Sequence, residues 1–244
     1  MRAFLIALQF LTILPIRVRG SYQQKDYTRA LLFFPTVGLI IGLIISSVGL
    51  LPLPYPKSVI IILTLIVSFL ITGGLHLDGL ADTCDGFYGQ KPKERRLEIM
   101  KDSAIGVMGA LGLISIILLK GAFLFMVPVE LWFSTLILMT LCGRASMILG
   151  AALSSYARES GTGQLFIGKV RLSILILSIG FTLMVSIALL QIKGLILCGL
   201  LLFPITIFLL ISKIKIGGMT GDTLGALNEI IEVSTLAVLT SGLL

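Results

Sequence analysis

The chain has 244 residues, of which 57% are hydrophobic and 13% charged, and its mean hydropathy is +1.08. That balance excludes a soluble domain, whose surface must be largely polar, and the apolar runs leave no stretch for a separate soluble core, so one integral membrane domain spanning 1–244 is expected. The net charge of +7 does not indicate nucleic-acid binding, because the cations stand singly between apolar runs with no aromatic interleaving.

Residues 1–14 place Arg2 ahead of a short apolar run, superficially like a signal peptide. Pro15, Arg17 and Arg19 follow without a small-residue cleavage pattern. The run is also shorter than the ~17 residues needed to cross a bilayer, so a short interfacial or re-entrant helix is expected. Candidate spans follow at 30–51, 58–75, 104–126, 131–153, 172–190, 194–211 and 223–244. The expectation is an all-α, polytopic membrane bundle of about seven transmembrane helices, the last interrupted by Asn228, Glu229 and Glu232. Cys84, Cys142 and Cys198 are odd in number and widely spaced, which indicates neither a disulfide framework nor a zinc site.

Alternate loops differ sharply in cations. One side carries Arg17, Arg19, Lys25, Arg29, Lys91, Lys93, Arg95, Arg96, Lys101, Arg158, Lys169, Arg171, Lys213 and Lys215, the other Lys57 and Lys193. Fourteen against two puts the long polar loops in the cytosol, as in a multi-pass protein of the cell inner membrane. Every acid except Glu130 lies in those loops or in the last span. Reactive groups confined to one face suit an enzyme supplied from the cytosol better than a carrier, which places polar groups near the midplane in repeated halves.

After the second span the chain reads His76-Leu77-Asp78-Gly79-Leu80-Ala81-Asp82-Thr83-Cys84-Asp85-Gly86. Asp78, Asp82 and Asp85 are spaced i, i+4, i+7 and project from one face of a helix. Clustered carboxylates without His or Cys partners favour Mg²⁺ or Mn²⁺, and Mg²⁺ commonly shares its shell with substrate phosphates. A solvated loop at a span end is the bland alternative, but it needs no alternation of acids with Gly79 and Gly86, which permit close approach of backbone to ligand. His76, the only histidine, is suited to act as a general base, to bind phosphate or to cap the span end. Asp102, ahead of the next span, suits either a helix N-terminus or a metal held from the facing span. The cations at 91–101 form either a solvated face or a surface that gathers an anionic substrate.

A second polar stretch reads Gly217-Gly218-Met219-Thr220-Gly221-Asp222-Thr223-Leu224-Gly225-Ala226, followed by Glu229. Gly218, Thr220 and Gly221 would expose backbone N–H groups at a helix start, an arrangement that receives phosphate. Asp222, Ala226 and Glu229 would share a face, the small residue letting substrate pass between two acids. Arg144, near the end of a span, snorkels or clamps phosphate, and Arg158 is a similar candidate.

The run from Gly73 to Gly86 closely resembles the signature of the cobalamin synthase family, the adenosylcobinamide-GDP ribazoletransferases. Further matches are Leu8-Gln9-Phe10-Leu11-Thr12 with Pro15, Phe34-Pro35 with Val37-Gly38, Glu98-Ile99-Met100-Lys101-Asp102-Ser103 with Ile105-Gly106, Gly143-Arg144, and Gly221-Asp222-Thr223-Leu224-Gly225-Ala226. The resemblance implies that adenosylcobinamide-GDP joins α-ribazole, or its 5′-phosphate, to give adenosylcobalamin, or its 5′-phosphate, and GMP, with Mg²⁺. It implies a metal site at Asp78, Asp82 and Asp85, supported by Asp102 or Asp222, and a free carboxylate or His76 taking the hydroxyl proton. The expected partners are these substrates and the lipid bilayer, with no nucleic acid, and a homo-oligomer or other cobalamin-pathway membrane proteins besides. Asp78-Gly79-Leu80-Ala81-Asp82 also partly resembles the CDP-alcohol phosphotransferase motif, in which an Arg stands where this chain has Asp82. A CDP-alcohol phosphotransferase with a lipid acceptor, and a non-enzymatic permease or scaffold, are the alternatives.

Overall fold

The computed structural model describes residues 1–16, 18, 23–49, 51 and 54–243. Arg17 and Arg19, which entered the reading of the loops, lie outside the described residues. Helix α1 (Arg2–Leu11) has ten residues, too few to span, and buries Ile6, Ala7, Leu8 and Leu11 against its neighbours. Those neighbours are α2 (Gln24–Ala30) and α3 (Phe34–Gly49), joined by a turn of 3₁₀ helix into one apolar run of 26 residues. Helix α4 (Lys57–Thr72) returns, followed by α5 (Leu75–Phe87), the short α6 (Lys93–Ile99), α7 (Val107–Met126), α8 (Trp132–Leu153), α9 (Leu172–Leu190), α10 (Ile192–Ile216) and α11 (Gly221–Thr240). Among the described residues six runs are long and apolar enough to cross a membrane, seven if the bent pair of α4 and α5 counts as one span. Among the described residues the only extended pairing is one parallel bridge between Tyr156 and Met219.

The bend is set by sequence. Gly73 and Gly74 both adopt left-handed backbone, with φ of 61° and 70°, a region in which a Cβ is strained. The chain turns by 89° there, so the acid-bearing helix lies across the line of α4 instead of extending it. At thirteen residues, α5 is too short to cross the bilayer by itself.

Helix α8 is the central post of the bundle, 78% buried where α7 and α9 are 22%. Its tightest neighbour is α3, where a Cβ on Gly38 would stand 2.6 Å from the Thr140 carbonyl oxygen and one on Gly42 2.6 Å from Ile137 Cα. The Thr140 hydroxyl donates to the Gly38 carbonyl at 2.7 Å. Small residues that let backbones approach replace, within a membrane, the hydrophobic driving force that lipid removes.

The same device joins α5 to α11. A Cβ on Gly79 would stand 2.6 Å from the Asp222 carbonyl oxygen, and one on Gly225 3.2 Å from His76 Cα. Gly79, read from sequence as permitting close approach to a ligand, instead permits close approach of a helix. Gly79→Ala is expected to destabilise the protein by about 1–3 kcal/mol through overpacking, measured as a lower melting temperature in detergent. Gly225→Ala, with its roomier contact, should cost less.

Candidate active site

The acids of α5 form its outer stripe, while His76, Gly79, Leu80, Thr83 and Gly86 pack inward. Asp78 is exposed, and Asp82 and Asp85 are half-buried. Asp85 is occupied by backbone: Oδ2 accepts from Gly106 N–H at 2.7 Å and Oδ1 from Gly109 N–H at 2.8 Å. It thereby caps α7, which has no side-chain cap of its own. Asp102 does not stand at that helix start, which falls at Val107. It is exposed, accepts from Ala104 N–H at 3.0 Å, and lines with Asp85 a cavity of about 360 Å³.

Arg96 departs from the surface role expected of the cations at 91–101. It is buried and donates to the carbonyls of Gly86, Phe87, Gly89 and Lys91, clamping the C-terminal end of α5. Lys93 matches the surface reading better, with Nζ 3.3 Å from where a Cβ on Gly217 would lie.

The glycine-rich turn before α11 is pinned to the segment after α8. Met219 N–H donates to the Ser155 carbonyl and Ala157 N–H to the Met219 carbonyl, both at 2.9 Å. A Cβ on Gly218 would meet the Ser155 carbonyl oxygen at 2.2 Å, so its bareness serves this backbone contact. Thr220 is the N-cap: its Oγ1 accepts from Thr223 N–H at 3.2 Å, and Thr223 Oγ1 accepts from Thr220 N–H at 2.7 Å. Of the three residues expected to cradle an anion, Gly221 keeps an open approach, its nearest neighbour being Thr162 Oγ1 at 4.0 Å from a Cβ built there.

Asp222, in the first turn of α11, comes beside the acids of α5. The field at Asp82 contains Asp222, Asp78 and Asp85 against one cation, Arg158. Arg158 Nη2 lies 2.6 Å from Asp222 Oδ2 and donates to the Met100 carbonyl at 3.1 Å, while its Nε is buried without a partner. Nearby, Tyr156 donates its hydroxyl to the Ser160 carbonyl at 3.1 Å, and burial pushes its pKa above the usual tyrosine value, keeping it a donor. Among the described residues, no group of three or more His, Cys, Asp and Glu side chains can hold a metal ion unaided.

The remaining expected site residues lie elsewhere. His76, Arg144 and Glu229 are each at most 4% exposed and belong to an ionic cluster inside the bundle. Lys120 Nζ reaches Glu229 at 2.7 Å and Glu232 at 2.5 Å, Arg144 pairs with Glu232, and Asn228 Nδ2 donates to both glutamates at 3.2 Å. Arg144 Nη2 stands 3.4 Å from His76 Nδ1. Arg144 therefore neither snorkels nor faces a phosphate at the surface, because Glu232 holds it. Glu229 does not pair with Asp222 across a substrate path, because Lys120 neutralises it and Ala226 is fully buried. Lys120 was not singled out from sequence, and Glu232 only as an interruption of the last span, although ionisable groups within three otherwise apolar runs are the mark of such a cluster. Lys120→Met should leave two buried carboxylates with one cation and cost about 3–5 kcal/mol. Thermal unfolding in detergent checks this, and adding Glu229→Gln should recover part of the loss.

Similarity to known proteins extends over the whole chain. A family described as cobalamin-5-phosphate synthase matches residues 3–240. A protein named adenosylcobinamide-GDP ribazoletransferase from Clostridium botulinum (strain Langeland) is 37% identical over 239 residues, covering 97% of this chain and 96% of its own. Proteins of the same name from Alkaliphilus oremlandii and Thermoanaerobacter pseudethanolicus are 37% and 33% identical, covering 100% and 96% of this chain and 98% and 95% of their own. No solved structure matches.

Proposed function

The chain belongs to the cobalamin-5-phosphate synthase family, and from that membership we propose that it is a Mg²⁺-dependent adenosylcobinamide-GDP ribazoletransferase with Asp82, Asp222 and Arg158 at its reacting centre. Its substrates are adenosylcobinamide-GDP and α-ribazole or its 5′-phosphate. The ribazole 3′-hydroxyl forms a bond to the phosphorus attached to the cobinamide arm, and the bond to the GMP oxygen breaks. The relatives' names favour this reading over a CDP-alcohol phosphotransferase or a permease.

The observation that carries the assignment is the meeting of Asp82 on α5, Asp222 on α11 and Arg158, whose Nε lacks a partner. The donor set fits Mg²⁺: hard carboxylate oxygens gather with one arginine for countercharge, too few to enclose an ion, so substrate phosphates would complete its shell. Asp78, Asp82 and Asp222 would hold the ion, which when bound neutralises charge on the diphosphate and the leaving phosphate. Arg158 would bind a phosphate oxygen through guanidinium nitrogens other than Nη2, which Asp222 and Met100 both engage. The carboxylate oxygen of Asp82 or Asp222 that the ion leaves free would take the proton of the attacking hydroxyl. Asp85 contributes by fixing α5 against α7, and His76 by packing beneath the acids. The acid site lies at the cation-rich end of the bundle, opposite Lys57 and Lys193, which supports a cytosolic active site in the inner membrane.

GMP release by the purified protein in vesicles, supplied with both substrates, tests the proposal. Asp82→Asn and Asp222→Asn should each lower turnover by about 10²- to 10⁴-fold, and chelation should abolish turnover until Mg²⁺ is restored. Near-normal turnover in either variant removes that residue from the chemistry, and turnover unaffected by chelation removes the metal.

A further inference from the structure

A second polar cavity, of about 470 Å³, lies between α2 and the segment that leads into α9. Its walls carry Lys25 and Arg29, one turn apart on α2, and Lys169 and Arg171 ahead of α9, with Thr28 and Ile174 beneath. No acid lines it, and none of the four cations is ion-paired among the described residues. Asp26, the acid of α2, is engaged elsewhere, accepting from Gln23 N–H at 3.0 Å and pairing with Arg2 at 3.7 Å. Lys169 Nζ donates to the Gln164 carbonyl at 2.7 Å, which neutralises nothing. Four converging cations repel one another unless an anion joins them. The start of α9 points the same way, since no side chain caps it and its first N–H groups add positive potential.

The anion's remaining chemistry is indicated by what lies below. The cavity sits at the first turn of a spanning helix, and Leu172, Ile176 and Leu177 of that helix are 70%, 59% and 59% exposed. A ligand held here has a charged end among Lys25, Arg29, Lys169 and Arg171 and apolar helix surface directly beneath it. A free phosphate uses only the first of these. We propose that this cavity binds the headgroup of an anionic phospholipid, with the acyl chains lying along α9. The Thr28 hydroxyl, which donates to the Gln24 carbonyl at 3.2 Å, also lies 3.5 Å from the Leu165 carbonyl, bringing the cavity floor against the 3₁₀ turn Thr162–Leu165, and Gly163 of that turn abuts Gly221 N at the head of α11. The lipid site is thus a neighbour of the acid site across one turn, while using none of its residues.

Native mass spectrometry of the full chain, released from micelles containing equal amounts of phosphatidylglycerol and phosphatidylcholine, tests this. The wild type should retain one phosphatidylglycerol in preference to phosphatidylcholine, and excess inorganic phosphate should not displace it. Arg29→Gln with Arg171→Gln should reduce the preference about fivefold per cation removed, and Lys25→Gln with Lys169→Gln should do the same. These side chains are all exposed, and an unchanged melting temperature shows that the variants fold. The control Arg95→Gln with Lys101→Gln, which removes two exposed cations outside the cavity, should keep the preference. An unchanged preference in both cavity variants, equal retention of phosphatidylcholine, or displacement by inorganic phosphate overturns the proposal, the last by assigning the cavity to a soluble phosphate.

Discussion

Backbone-to-backbone approach of α5 and α11 is the constraint on which the rest of this structure depends. Without a side chain at Gly79, the α5 backbone reaches the Asp222 carbonyl, and two acid-bearing segments far apart in sequence come to share one site. Neither helix could do this alone. The consecutive left-handed glycines that end α4 direct α5 across the bundle; Arg96 of α6 then binds the backbone at the C-terminal end of α5, and Asp85 of α5 binds the backbone at the start of α7. The positions of the acids are therefore set by main-chain geometry, which is stiffer than any arrangement of long side chains.

Beneath that contact lies a cluster of opposite chemistry. Lys120, Arg144, Glu229 and Glu232 come from three helices and carry two charges of each sign. In a medium that solvates ions poorly, each charge is tolerable only while its partners stay in place. The relative positions of α7, α8 and α11 are consequently fixed by charge pairing as well as by packing. His76 joins the cluster from α5 through Arg144, so the helix that carries the acids is held in register with all three.

Much of this was legible in the sequence. Hydropathy located the spans because a lipid-facing helix must be apolar throughout, and the i, i+4, i+7 spacing placed Asp78, Asp82 and Asp85 on one helical face. What sequence could not supply was the identity of each residue's partner. Asp85 looks like Asp82 in one dimension, yet the start of α7 engages both its oxygens. Gly218 and Gly79 looked like openings for ligand, yet backbone fills both. His76, Arg144 and Glu229 carried the right functional groups for a phosphate site, and a long-range match to Lys120 and Glu232 turned them inward. Arg158 had the weakest local signal of the basic candidates, and its pairing with Asp222 depends on a chain reversal between α8 and α11 that no short motif encodes.

The grip of Asp85 on α7 has a consequence for how the acid site responds to ligands. A cation that drew this carboxylate away would strand the N–H of buried Gly109 at a cost of about 1–3 kcal/mol, while the exposed Gly106 N–H would turn to solvent at little cost. The two amides thus act as a standing competitor for Asp85, present at fixed effective concentration and unaffected by the supply of metal or nucleotide. Asp78 and Asp82 have no such competitor among the described residues. The acid stripe, uniform in sequence, is therefore graded in availability: its far end is committed to architecture, and its near end carries no such commitment.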